Sequence, residues 1–427
     1  TQLTVSDVGC IISQEYLDRL QSKKEIQGVY LANSLQQGFI YHALNQGEVD
    51  DAYIVQLLWR YNTSLDIDLL KQAWECAQAR FPTLRLRFGW DEELIQIIDT
   101  KGQLDWRYLD LSTEKNDQLR EEAIKNIQQE DRQKRYDLSS GSLLRLYLIK
   151  EREDRYRFML SNHHAILDGW SNPILLGFVH DVYSQLQQGQ PIKSEVEQSY
   201  TNAQQYLQTH KGDHTDYWKS RIATLEDRAD LSGLCSKQRV NLYDYNHIKD
   251  PCIADVAITG SVYQDLKQLC QQEGITLNAV TQYVWHKILS IYSYSDKTVV
   301  GTIASGRNLP VDDIERSVGL HINTLPLIVD HSKPQSVTAQ LKQIQHDINE
   351  INIRSGVDLG TLQQGGERLF ATLFVFENYP DQVGESALAI TSEDSIEKLD
   401  YPLGVLAYEE RGKLLFKLQY AGEIFSP

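Results

Sequence analysis

Residues 161–171 read SNHHAILDGWS. They close RYRFMLSNHH (155–164), a run whose aliphatic and aromatic content reads as a β-strand. Successive side chains on a strand point to opposite faces, so His163 and His164 are not expected to converge on one metal ion. One is expected to face inward as structure, the other to look into a cleft. The strand is expected to break at Asp168-Gly169, where glycine permits a tight turn and close backbone approach by a ligand. A helix is then expected from Asn172 or Pro173, capped by Ser171 or Asn172, with its N-terminal N–H groups free. Taken alone, the stretch is compatible with a catalytic pocket, half a metal site or a packed histidine pair.

The chemistry such a turn supports is acyl transfer. A histidine titrates near neutral pH and so accepts a proton from an attacking amine or hydroxyl. Backbone donors near Gly169 would stabilise a developing oxyanion, an effect worth roughly 3 kcal/mol in other acyl-transfer enzymes. Asp168 is expected to fix the turn through a buried ion pair with an arginine; breaking such a pair costs about 3–5 kcal/mol. There is no GxSxG and no cysteine in a nucleophile context, against a triad hydrolase. There is no GxxxxGK[ST] phosphate loop either.

Working outward, AYIVQLLWRY (52–61) and LLRLYLIK (143–150) read as strands, with EREDR (151–155) as the hairpin turn into the histidine strand. Residues 15–24 and 65–80 carry apolar residues at helical spacing. Beyond the motif, Ile174, Leu175, Phe178, Val179, Val182 and Leu186 form an apolar stripe that ends at QQGQP (187–191). The polar segment 188–200 is the best linker, dividing the chain near residue 190. In the second half, 261–293 reads as two helices parted at Gly274, and KTVVGTIASGR (297–307) as a strand entering a glycine turn. Segments 325–330, 369–379 and 413–420 read as further strands. The remaining histidines, His180 and His286 among them, fall in helical stripes and read as packing or surface.

The 427 residues are more than one core comfortably serves and suggest two domains. A net charge of −17 speaks against nucleic acid, which needs many phosphate-neutralising Lys and Arg, and against anionic membrane surfaces. No apolar run reaches the roughly 18–20 residues of a membrane span. Five scattered cysteines without a CxxC pair read as reduced thiols, not as a zinc or disulfide framework. The chain opens at Thr1 and holds one methionine, Met159, so it is expected to be a segment of a longer polypeptide.

Other phrases give the motif company. LANSLQQGFIYHAL (31–44), ARFPTLRLRF (79–88), HHAILDGWS (163–171) and VGLHINTLPL (318–327) resemble, in order, the first, second, third and fifth motifs of condensation domains of nonribosomal peptide synthetases. SGR (305–307), YDLSSGSLLR (136–145) and LFVFENYP (373–380) also look like stretches of that family. The chain departs from the pattern at Phe81, where histidine is usual, and in YTNAQQYL (200–207), which keeps only Tyr200 of the fourth motif. Ala371 and Asp400 stand where an aspartate and a histidine are expected. The intact histidine pair separates the chain from heterocyclisation domains, and IASGR separates it from epimerisation domains. SLQQGFIYHAL is similar to members that receive a D-configured donor.

The resemblance implies an α/β fold of two chloramphenicol-acetyltransferase-like lobes, a V-shaped pseudo-dimer with its active site at the junction. Residues 1–190 would be the lobe carrying HHAILDG, and 191–427 the lobe carrying SGR and VGLHINT. It implies peptide-bond formation between an upstream carrier-bound acyl or peptidyl thioester and a downstream carrier-bound aminoacyl thioester. No cofactor or metal would be bound by the domain itself; substrates would arrive on phosphopantetheine arms of donor and acceptor carrier proteins, beside an adenylation domain, in the cytoplasm. A basic patch at RQKR (132–135) is a candidate carrier contact. His164 would be the catalytic histidine and Gly169 the backbone element of catalysis. His163, Asp168 and Arg307 would be structural, Asp168 and Arg307 as an ion pair. Trp170, Ser171, Ser305, Asn323 and Thr324 would line the substrate tunnel, with capping the preferred role of Ser171. The competing readings are a standalone acyltransferase of the same superfold and a non-catalytic recruitment domain.

Overall fold

The computed structural model describes the chain except residues 1, 46–50, 194, 226–227, 364–366, 379–387 and 389, with the backbone alone at 393, 394 and 396. Strands β1 (Ile26–Leu31), β2 (Ile54–Tyr61), β3 (Leu86–Gly89), β4 (Ile95–Asp99), β5 (Asp105–Asp110), β6 (Leu144–Arg152) and β7 (Arg155–His163) occupy the first half. They are followed by β8 (Pro251–Ile258), β9 (Lys297–Ala304), β10 (Asn323–Asp330), β11 (Thr372–Glu377), β12 (Ile390–Ile396), β13 (Leu403–Glu410) and β14 (Lys413–Ala421). Helices α1 (Gln14–Gln21), α2 (Ser34–Asn45), α3 (Ile67–Arg80), α4 (Asp117–Gln133), α5 (Ser171–Gln187) and α6 (Ser199–Thr209) precede β8. Helices α7 (Thr215–Ile222), α8 (Gly260–Glu273), α9 (Leu277–Ser293), α10 (Val337–Ile353) and α11 (Leu359–Leu362) complete the set.

Packing divides the chain into two units. One comprises Thr1–Thr209, Pro310–His321 and Tyr379–Lys398; the other comprises His210–Leu309, Ile322–Asn378 and Leu399–Pro427. Helix α6 stays with the first unit because Tyr200, Ala203 and Gln204 bury there, Gln204 accepting from the Gln96 side-chain amide at 2.8 Å.

The first unit holds a small antiparallel sheet, β1-β4-β3, and a five-stranded sheet in the order β12-β2-β7-β6-β5. The second sheet explains the near-continuous apolar run of β7, since helices cover both of its faces. Phe158 stacks on Trp74 of α3 (centroids 5.6 Å apart), while the next residue, Met159, clusters with Ile124 of α4. The same alternation turns Ser161 toward α4, where its hydroxyl reaches buried Asp131 at 2.5 Å. Asp131 is also met by Arg145 at 2.7 Å, the Tyr147 hydroxyl at 2.8 Å and the Gln56 amide at 2.8 Å. A buried carboxylate with this many partners is compensated for its lost hydration.

The second unit is built on a six-stranded mixed sheet in the order β10-β9-β11-β13-β14-β8. Its core gathers Leu325, Leu327, Ile344, Ile348 and Phe370 with Trp218, whose indole N–H donates to the Arg354 carbonyl at 2.9 Å. Gly274 parts α8 from α9 with φ of 65°, the left-handed conformation glycine favours. All five cysteines are free thiols. Among the described residues no helix is long and apolar enough to cross a membrane. Of the phrase 373–380, residues 379 and 380 lie outside the described residues, as does residue 194 of the linker segment.

Candidate active site

Strand β7 ends at His163, one residue earlier than its sequence suggests. The Ala165 N–H donates to His163 Nδ1 at 3.0 Å, and the Ile166 N–H donates to the His163 carbonyl at 3.3 Å. A turn therefore begins between the two histidines, at the end of the strand. With Nδ1 accepting, His163 is neutral and carries its proton on Nε2. Burial, together with the neighbouring His164 and His42, pushes its pKa down to about 3. Phe39 of α2 lies against both imidazoles, at 5.7 Å from His163 and 5.5 Å from His164.

His164 follows the strand end, its N–H bonded to the Tyr53 carbonyl at 2.8 Å. Its Nε2 lies 3.0 Å from Glu397 Oε1, with 14% of the histidine side chain and 37% of the glutamate side chain exposed. Burial opposes a charge on His164, but the Glu397 carboxylate outweighs it and raises the histidine above its ordinary value. Glu397 is lowered in turn by His164, against the effect of its own burial. Sequence reading missed Glu397. It follows β12, which pairs Ile396 with Gln56 of β2, and Gln56 pairs with Ser161 of β7. That register brings a residue more than 230 positions away to the end of the histidine strand, and nothing local in SIEKLD signals it.

Asp168 is fully buried and acts as a clamp. Its Oδ1 accepts from the Ser171 N–H at 3.0 Å and lies 2.8 Å from the Ser171 hydroxyl, while Oδ2 accepts from the His321 N–H at 2.9 Å. Helix α5 thus starts at Ser171, earlier than expected, and Ser171 is not its cap. The Ser171 hydroxyl is instead enclosed with residue 319, accepting from the Gly319 N–H at 2.9 Å and lying 2.8 Å from the Gly319 carbonyl. Nor is the first N–H of α5 free, because Asp168 already holds it. Gly169 lies half-buried in the turn into α5, and the Trp170 indole N–H donates to the Glu315 carbonyl at 3.1 Å.

The outlying phrases meet on this turn. Gln36 of α2 donates to the Ala165 carbonyl at 3.0 Å and to the Tyr200 hydroxyl at 3.2 Å. It exchanges a reciprocal pair of 3.0 Å bonds with Asn33, whose side chain donates to the Leu320 carbonyl at 3.1 Å. The Thr83 hydroxyl donates to the Val318 carbonyl at 3.1 Å. Tyr200, the residue left of the fourth motif, is buried beside Gly319 and donates to Gln96. Arg85 is structural, its guanidinium bonding the carbonyls of Gln78 and Asp99. Phe81, in place of histidine, packs edge-on against Phe178 at 5.2 Å.

Four expected site residues, Ser305, Arg307, Asn323 and Thr324, belong to the second unit. Arg307 is buried after the turn Ser305-Gly306, where Gly306 has φ of 66°, and its N–H donates to the Ser305 hydroxyl at 3.3 Å. The Ser305 N–H meets Asn352 Oδ1 at 3.4 Å. The Asn323 amide donates to the carbonyls of Ser355 (2.9 Å) and Val357 (2.8 Å), and its Oδ1 accepts from the Thr324 N–H. In the RQKR segment, Arg132 is taken up by Asp51 at 2.7 Å.

The condensation-domain family matches residues 26–427. The chain belongs to that family. It is a condensation domain, the amide-forming acyltransferase of nonribosomal peptide synthesis. This condensation domain is 44% identical over 410 residues to N-(5-amino-5-carboxypentanoyl)-L-cysteinyl-D-valine synthase of Amycolatopsis lactamdurans, covering 92% of the chain and 11% of the relative. It is 40% identical over 422 residues to the synthase of the same name from Penicillium chrysogenum, covering 95% and 11%. The chain thus spans about a ninth of the length of these relatives. Among solved structures, it is similar to the starter condensation domain of rhizomide synthetase RzmA in complex with C8-CoA, a double mutant (TM-score 0.73, 15% identity, 96% and 92% coverage). It is also similar to the first condensation domain of the calcium-dependent antibiotic synthetase (TM-score 0.69, 16% identity, 93% and 92% coverage). The mixed α/β, two-lobe fold that the resemblance implies is thereby shown.

Proposed function

We propose that this condensation domain joins the acyl group of a donor thioester to the amine of an acceptor aminoacyl thioester, with His164 facing the amine. The observation that carries this reading is the complete HHAILDG motif on an ordered turn. There His163 is committed to the backbone, while His164 keeps its imidazole for a charged partner. The amine nitrogen bonds to the donor carbonyl carbon and the C–S bond breaks. One amine proton leaves nitrogen and the departing sulfur gains one, giving an amide and a thiol. An α-ammonium has a pKa near 8, so it must first lose a proton before it attacks. Gly169 supplies backbone close to the reacting carbonyl, and Asp168 and His163 hold the turn. Trp170 and Ser171 beside the turn, and Ser305, Arg307, Asn323 and Thr324 of the second unit, belong to the substrate path and its support.

Both substrates are carried on phosphopantetheine arms, the donor on an upstream carrier protein and the acceptor on a downstream one, with an adenylation domain as neighbour. The domain itself contributes protein groups only. Similarity to the two synthases supports aminoadipoyl, cysteinyl and valyl groups as the substrate class. Free thiols at all five cysteines support a reducing compartment, and we place the reaction in the cytoplasm.

The test loads one carrier with aminoadipate or cysteine and a second with cysteine or valine, then follows carrier-bound dipeptide by mass spectrometry. Product is expected in one pairing, with His164→Ala slower by about 10²–10⁴-fold. Full activity in His164→Ala overturns the assignment of His164. Absence of product in every pairing, from a folded protein, overturns the substrate class.

A further inference from the structure

The His164–Glu397 contact has a chemical direction. A carboxylate only accepts, so the hydrogen between Nε2 and Oε1 belongs to the imidazole. The other ring nitrogen, Nδ1, is enclosed and has no hydrogen-bond partner among the described residues. The groups that act on this ring come from several elements: His163 at the end of β7, Asp168 in the turn, Phe39 on α2, and Glu397 after β12. Glu397 meets Nε2 directly, at 3.0 Å. Its own segment is tied down by the next residue, Lys398, which lies 3.4 Å from Asp51, and Asp51 is held by Arg132.

We propose that Glu397 is a positioning residue for condensation, holding the His164 imidazole by Nε2 and keeping a hydrogen on that nitrogen. The inference rests on the reading of His164 given above. With Glu397 in place, Nε2 is a donor. That hydrogen is already donated to the carboxylate, so Nε2 neither donates to the acceptor amine nor takes a proton from it until Glu397 gives up Nε2. The carboxylate's charge favours the protonated imidazole, so loss of that charge makes the ring neutral at lower pH. Because the residue arrives through the β12 register, the tuning of a histidine in one segment is delivered by a segment far away in sequence.

The experiment follows histidine 15N signals of the whole chain against pH in wild type, Glu397→Gln and Glu397→Asp, with His164→Ala identifying the signal. The His164 midpoint is expected to fall by a unit or more in Glu397→Gln, a tenfold loss of proton affinity, and to stay near wild type in Glu397→Asp. The acid limb of single-turnover dipeptide formation is expected to move to lower pH in Glu397→Gln by a similar amount. An unchanged His164 midpoint in Glu397→Gln overturns the proposal, because a purely structural glutamate would alter melting and leave the titration alone. Failure of wild type to form any dipeptide counts against the amide-bond reading and leaves the spectroscopic result to stand by itself.

Discussion

Gly319 has no room for a methyl group. A Cβ built there would lie 2.4 Å from the ring of Tyr200 and 2.9 Å from the Thr83 methyl. Tyr200 is fully buried and tied to Gln36 and Gln96, so it has little freedom to retreat. Gly319→Ala is therefore expected to destabilise the first unit by about 1–3 kcal/mol, the usual cost of overpacking. Gly38, on α2 in the same unit, has nothing within 4 Å of its added Cβ. Gly38→Ala should instead stabilise by about 0.5–1 kcal/mol through lost backbone freedom in the unfolded chain. Urea unfolding of both variants checks the pair, and equal shifts would refute the packing account. This glycine also shows the reach of a resemblance. The Val-Gly phrase is visible in the sequence, but its reason, a tyrosine ring from α6 pressed against it, is a contact across more than a hundred residues.

At the level of elements, the entry to α5 depends on a single carboxylate. Asp168 receives the Ser171 N–H, the Ser171 hydroxyl and the His321 N–H, joining the helix start to the segment that carries Gly319. An amide at this position keeps the shape but replaces one acceptor oxygen with a donor, which leaves a buried N–H unmet. Asp168→Asn is expected to cost about 2–4 kcal/mol, the range for orphaning a buried donor and weakening a charge-assisted bond. It should also raise amide exchange at Ser171 and His321 selectively. Protection unchanged at both amides would count against the clamp. Elements with strong local pattern were legible: the β6–β7 hairpin, the break at Gly274, and the stripes of α3 and α5. What sequence could not supply was partner choice. The carboxylate that receives the first N–H of α5 lies three residues before the helix. Strand β12 gains its place by pairing with β2, and Glu397 gains its meaning only from that register. Asp400, noted as a departure, answers Arg368 at 2.8 Å, a pairing equally invisible to local pattern.

Across the whole molecule, three buried histidines dominate the response to acid, with His214 and His331 lowered in the same direction. Burial pushes His163 to about 3, His180 to about 4 and His286 to about 3. Each is neutral in the fold: His163 accepts from Ala165, His180 Nε2 faces the Tyr61 hydroxyl at 2.7 Å, and His286 Nδ1 faces the Thr298 hydroxyl at 2.7 Å. The unfolded chain binds their protons near pH 6.5 while the folded chain refuses them until about pH 3–4. Stability is therefore full above pH 6.5 and falls as the pH drops through that window, by about 1.4 kcal/mol per pH unit for each histidine. His164 works in the opposite sense, since its raised affinity stabilises the fold in acid and is lost as pH rises through its folded value. His163 and His180 belong to the first unit, and His286, with the more weakly lowered His214 and His331, to the second, so acid should weaken both units. Calorimetric scans between pH 7 and pH 5 are expected to show melting temperatures falling well before carboxylates titrate near pH 4. His286→Leu should lessen that fall in the second unit and leave the first unit's slope as it was. Stability constant from pH 7 to pH 5 would refute the account, because three neutral buried imidazoles require the unfolded chain to take up protons that the fold does not bind.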